Sequence, residues 1–215
     1  MYIAIEGVIG VGKTTLARML QPRFLAELQL EVFEENPFLA DFYSDRERYA
    51  FQTQIFFLLS RYHQQRKSVK EMVANGFHLI TDYTFAKDAL FASINLKGDE
   101  LEMYYRVHEA LGEKVRLPDL IVYLQADTEV LMQRIAMRDR SYERNMEISY
   151  IEDLNKAYDD HFKHHYQGPP VLEICTNELD FVKNHEHLDL IDRMIRSKLT
   201  LILKQDTLPL GKATN

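Results

Sequence analysis

The sequence predicts an α/β protein with a parallel five-stranded sheet flanked by helices. Three observations predict it. An apolar, strand-forming run at residues 2–5 leads at once into a glycine-rich loop and the helix-forming run TTLARML. Short apolar segments then alternate with helical patterns, which implies a sheet covered on both faces. One of them, residues 119–124 (DLIVYL), is continuously apolar, as expected of a central parallel strand.

After the loop, residues 14–28 read as a helix with an apolar stripe of Leu16, Met19, Leu20 and Phe24, kinked or shortened by Pro22. Residues 28–33 alternate apolar and polar and suit a second strand, which runs into Glu34, Glu35 and the turn Asn36-Pro37. Residues 49–74 form a long helical pattern ended by Asn75-Gly76. A third strand follows at 77–80, then helix over 85–112 with a break at 97–99. The fourth strand, 119–124, is followed by a helix at 127–137, a basic stretch at 138–147 and a helix at 149–165. The fifth strand is 171–175 and the last helix 187–203. Residues 1–203 are expected to form one domain with a short arginine-rich lid at about 137–148, and 204–215 a flexible tail.

The net charge of −7 argues against a sequence-independent nucleic-acid binder. No apolar stretch approaches the length needed to span a bilayer, and Met1 runs directly into the first strand, so a cytoplasmic protein without a signal peptide is expected. The single cysteine, Cys175, excludes an internal disulfide and reads as buried core within VLEIC. The eight histidines show no metal spacing; His161, His164 and His165 read as surface residues.

Gly7, Val8, Ile9, Gly10, Val11, Gly12, Lys13 and Thr14, followed by Thr15, match the pattern G-x-x-x-x-G-K-[ST]. Glycines let successive backbone N–H groups face a phosphate, Lys13 reaches the β/γ-phosphates, and the Thr14 hydroxyl suits Mg²⁺. A helix starting at Lys13 aims its positive end at the same anion. Asp82 ends the run FHLITD on the same sheet edge and could hold Mg²⁺ beside Thr14. The acidic cluster Glu31, Glu34 and Glu35 could orient or deprotonate an acceptor hydroxyl. Arg134, Arg138 and Arg140 form a basic segment suited to closing over a triphosphate.

Together these segments resemble the deoxynucleoside kinase family, and most closely its bacterial deoxyadenosine/deoxyguanosine branch. The resemblance rests on EGVIGVGKTT, EVFEENPFLADFY, YAFQTQIFFLLSR, TDYTFAKDALFA, QRIAMRDRSYE and NELDF, in that order. It implies ATP-dependent phosphorylation of a deoxynucleoside 5′-hydroxyl with Mg²⁺, a purine substrate (deoxyadenosine first), and a homodimer packed through the two long helical regions. By resemblance Glu31 is the 5′-hydroxyl base, and a small shift in register would move that role to Glu34 or Glu35. Lys13 and Arg138 join Glu31 in catalysis, and Arg138 and Arg140 contact phosphate. Tyr43 and Glu143 bond the sugar 3′-hydroxyl; Gln54, Arg61 and Asp88 read the base; Asp82 fills the acidic position beside the nucleoside; Asp180 and Phe181 lie beside the adenine of ATP. The family arginine after Asp82 is Tyr83 here, so Lys87 or a lid arginine is expected to supply that charge. Two rival readings share the phosphate loop: a nucleoside monophosphate kinase such as a thymidylate kinase, and a nucleotide-dependent switch without a small-molecule acceptor.

Overall fold

A computed structural model describes residues 1–144 and 146–207, without the side chains of Glu34, Val73 and residues 205–207. Its five parallel strands are β1 (Tyr2–Gly7), β2 (Ala26–Gln29), β3 (His78–Thr81), β4 (Leu120–Gln125) and β5 (Val171–Cys175), in the order β2-β3-β1-β4-β5. β1 sits at the centre, and all six of its residues are buried. The chain moves to opposite sides of β1 for β3 and β4, and the crevice at such a switch point is where open α/β sheets bind ligands, at the strands' carboxyl ends.

α1 (Lys13–Phe24) carries Pro22 in its last turn and ends at once, with Leu25 in the left-handed region at φ 49°. The second strand therefore begins earlier than its alternating pattern predicts. Ala26–Gln29 pair residue for residue with His78–Thr81, which uses the backbone groups before residue 30 and leaves Glu31 in the loop just beyond the sheet edge. Phe33–Glu35 form one 3₁₀ turn rather than strand.

A short helix, α2 (Leu39–Ser44), was not anticipated. The long helix α3 (Arg46–Asn75) starts three residues before its expected position because the Asp45 carboxylate caps it, accepting from the Arg48 amide. It stops where Gly76 adopts φ 68°. α4 (Lys87–Asn95) and α5 (Gly98–Gly112) are separated at the expected break. α6 (Thr128–Arg138) is followed by the lid turn Ser141–Glu143 and α7 (Ile148–Asp160). The expected helix to 165 closes instead as a π-turn, His161–His165.

α8 (His185–Thr207) runs past the expected tail boundary at 204; residues 208–215 of that tail lie outside the described residues. Cys175 is exposed, contrary to the core reading: it ends β5, the edge strand, where little covers it. No helix among the described residues is long and apolar enough to cross a membrane.

Candidate active site

The loop after β1 holds the phosphate-binding geometry in its backbone. Gly7 has φ 144°, and a Cβ there would lie 2.4 Å from the Leu124 carbonyl oxygen. Only glycine lets the loop leave the sheet so close to β4. Val8 and Val11 bury their side chains in the core, so they offer a ligand only backbone. Lys13 Nζ donates to the carbonyls of Gly7 at 2.8 Å and Val8 at 3.0 Å, which holds the ammonium across the loop. Burial, and then the nearby Lys87 charge, bring that ammonium down to about 7.

Asp82, just past β3, ties this loop to the acceptor side. Its Oδ2 accepts the Thr14 hydroxyl at 2.5 Å, and its Oδ1 accepts the Glu31 amide at 2.7 Å. The expected metal pair is thus in contact, one carboxylate beside one loop hydroxyl. That is the small protein contribution that Mg²⁺, which keeps waters and phosphate oxygens, ordinarily takes.

Glu31 faces a cleft that Lys13, Thr14 and Asp82 line on one side and Gln54, Arg61 and Phe57 on the other. Its Oε1 accepts from Nε and Nη2 of Arg61, and its Oε2 from Lys87 Nζ at 2.8 Å. Burial alone would raise the Glu31 carboxyl, but Arg61 and Lys87 outweigh it and hold the group well below the usual carboxylate range. Glu31 lines the cleft and Glu35 is exposed, while the Glu34 side chain, the other candidate, lies outside the described residues.

Tyr43, Glu143, Arg138 and Arg140 close the outer side of the cleft. Arg138 forks onto Glu143, Nε to Oε2 at 2.7 Å and Nη2 to Oε1 at 2.6 Å, while the Arg140 guanidinium lies 4.0 Å over the Phe33 ring. The Tyr43 ring stacks on Tyr142 at 6.1 Å.

Other expected site residues sit elsewhere. Asp88 is fully buried behind Arg61 and pairs with its Nη1, so it faces the cleft only through that arginine. Arg134 is spent on protein acceptors, the Thr176 hydroxyl at 2.9 Å and carbonyl at 2.6 Å, so it braces the loop beside β5 and does not line the cleft. Asp180 is exposed and caps its own turn by accepting from the Val182 and Lys183 amides. Phe181 packs its ring against Gly12. Tyr83 is buried, with its hydroxyl bonded to Gln29 and Gln64. Neither lid arginine contacts Glu31; they are bound to Glu143 and Phe33.

Sequence reasoning assigned no role to Glu6 or to the aromatic lining from Phe33, Phe57 and Tyr142. Glu6 was the one charge in an otherwise apolar strand, an anomaly that signals a buried polar network.

With this geometry in view, the comparisons with known proteins are decisive. The family model for deoxynucleoside kinase matches residues 3–199. The chain belongs to the deoxynucleoside kinase family. This kinase is 35% identical over 193 residues to deoxyguanosine kinase of Bacillus subtilis (strain 168), covering 88% of this chain and 93% of that protein. It is 34% identical over 182 residues to deoxyadenosine kinase of Dictyostelium discoideum, covering 82% and 73% respectively. Solved structures of deoxyadenosine kinase from M. mycoides with bound dATP superpose with a TM-score of 0.78 at 27% identity, covering 91% of this chain and 100% of that one. The kinase is therefore an enzyme of deoxynucleoside 5′-phosphorylation, and the monophosphate-kinase and switch readings are set aside.

Proposed function

We propose that this kinase moves the γ-phosphoryl group of ATP to the 5′-hydroxyl of a purine deoxynucleoside, with deoxyadenosine the first candidate. The observation that carries the reading is the position of Glu31. Its carboxylate lies at the cleft between the phosphate loop and the polar wall of Gln54 and Arg61. A hydroxyl placed there meets a carboxylate acceptor on one side and a phosphate donor on the other.

Lys13 and the loop amides hold the transferring phosphates, with Phe181 walling the adenine side. Thr14 and Asp82 would hold Mg²⁺, which supplies charge neutralisation on the phosphates. Gln54 offers an acceptor and two donors to the base edge, and Arg61, fixed by Asp88, adds directional donors. Such a site rejects a wrong base strongly, because buried polar groups would be left unpaired. Tyr43 and Glu143 receive the sugar 3′-hydroxyl, and Arg138 and Arg140 stabilise charge as the lid closes.

The same reading makes the kinase a cytoplasmic homodimer joined through α3 and the α4–α5 pair. Leu59, Met103 and Tyr105 leave apolar surface exposed on those helices. Light scattering after gel filtration tests the dimer.

The deciding experiment is ADP release with ATP and Mg²⁺ across the four natural deoxynucleosides, with dAMP and dTMP as alternative acceptors. The expected result is turnover with deoxyadenosine and deoxyguanosine well above the others. Preference for a pyrimidine would overturn the purine assignment, and acceleration by a monophosphate alone would overturn the acceptor.

A further inference from the structure

Lys87 opens α4 and is 7% exposed. Among the described residues its ammonium has one hydrogen-bonded partner, Oε2 of Glu31. A carboxylate offers about four lone-pair positions. Arg61 fills two on Oε1 and Lys87 one on Oε2, so the position left for a substrate hydroxyl is on the oxygen that Lys87 already holds. The ammonium carries three donors, and Glu31 takes one of them. Lys87 lines the same cleft as Lys13 and Thr14, with its ammonium 5.2 Å from the centroid of the Phe91 ring.

We infer that Lys87 is the positioning residue for phosphoryl acceptance, fixing Oε2 of Glu31 toward the 5′-hydroxyl and presenting its remaining N–H donors to the entering phosphoryl group. The inference rests on the acceptor role proposed for Glu31. In the step, the 5′-oxygen forms the new bond to the γ-phosphorus, and the bond from that phosphorus to the β,γ-bridging oxygen breaks. The hydroxyl proton passes to Oε2, and ADP leaves with the electron pair of the broken bond. The cation that steadies this exchange comes from position 87, the first residue of α4. Tyr83, nearer Asp82 in sequence, is turned toward Gln64.

The test compares Lys87→Met, Lys87→Arg, Glu31→Gln and the double variant Glu31→Gln/Lys87→Met in initial-rate kinetics. Lys87→Met should lower kcat about thirtyfold or more while the deoxynucleoside KM stays within about threefold. Lys87→Arg should recover most of that loss. The double variant should be little slower than Glu31→Gln alone, because the two residues act as one unit.

Groups facing Glu31 are Arg61 from α3, Lys87 from α4, Lys13 from the phosphate loop, Asp82 and Tyr83 after β3 and Tyr158 from α7. A kcat within threefold of the parent, a loss confined to KM, or multiplicative effects in the double variant would overturn the inference. Lys87→Gln repeats the measurement if the Met variant does not fold. Near-normal turnover by Glu31→Gln would instead sink the acceptor assignment itself, whatever the Lys87 variants do.

Discussion

Asp82 and Glu31 are fastened side chain to backbone, the Asp82 Oδ1 accepting the Glu31 amide at 2.7 Å while its Oδ2 takes the Thr14 hydroxyl at 2.5 Å. One carboxylate thus sets the distance between the phosphate loop and the residue proposed to receive the 5′-hydroxyl. In Asp82→Asn the amide nitrogen replaces one acceptor, so either the Glu31 amide or the Thr14 hydroxyl meets a donor. Losses of about 10–100-fold are usual when such a supporting carboxylate is removed. A kcat/KM for ATP down by about that factor, with a raised Mg²⁺ requirement, is expected. Initial rates against Mg²⁺ concentration measure both, and an unchanged Mg²⁺ curve would remove Asp82 from the metal side.

The Lys13 ammonium is brought down to about 7 by burial and by Lys87, and this has a direct consequence for ATP binding. Above that pH the free enzyme has lost the proton, whereas the phosphates favour the charged form. Binding at pH 8 should therefore take up a proton, and ATP affinity should weaken as pH rises further, approaching about tenfold per unit. Calorimetry in buffers of different ionisation enthalpy reads the uptake. Lys13→Arg keeps its charge throughout and should show no uptake. Uptake persisting in that variant would place the titrating group elsewhere.

Much of this arrangement was legible in the sequence, for identifiable reasons. The loop at residues 7–14 was readable because its spacing imposes one backbone geometry next to a strand and a helix. β5 was found at Val171–Cys175, but the exposure of Cys175 was not, because edge position depends on strand order. β2 was placed too late because alternation over 28–33 does not fix register; pairing with β3 does. Arg61 and Asp88 were both expected at the base and do pair, but that Asp88 lies behind the arginine required three-dimensional packing. Glu6 was visible as an anomaly, but its partners are up to 152 residues away.

Those partners make Glu6 a stability determinant. Its Oε1 accepts the Thr84 amide at 2.5 Å and hydroxyl at 2.8 Å, and its Oε2 accepts the Tyr158 hydroxyl at 3.1 Å and the Gly7 amide at 3.2 Å. Hydroxyls can reverse their role, but amides cannot. Glu6→Gln must turn its NH₂ toward one of the two backbone N–H groups in either orientation. An unsatisfied buried donor costs about 1–3 kcal/mol. For a chain of this size that corresponds to a Tm lowered by about 3–10 °C. Thermal unfolding followed by circular dichroism checks it; an unchanged Tm would mean that the site admits water.

Arg138 and Glu143 yield the last prediction, because they are assigned to different substrates yet bind each other. The proposed roles are phosphate for Arg138 and the sugar 3′-hydroxyl for Glu143, while their side chains form a two-pronged pair at 2.7 and 2.6 Å. Glu143 is also buried, and Arg140 Nη1 lies 3.6 Å from its Oε1. Two arginines thus depend on one carboxylate for their aim. Glu143→Gln keeps the hydrogen-bonding shape but loses the charge and presents an amide donor to one prong of the Arg138 fork. Both the deoxynucleoside KM and the ATP KM should rise, each by about tenfold, an effect on ATP that a sugar contact alone would not produce. Arg138→Gln should instead lower kcat by about two decades, the scale of losing one cation from a phosphoryl transition state. A Glu143→Gln variant whose ATP KM is unchanged would show that the lid arginines are aimed independently of that carboxylate.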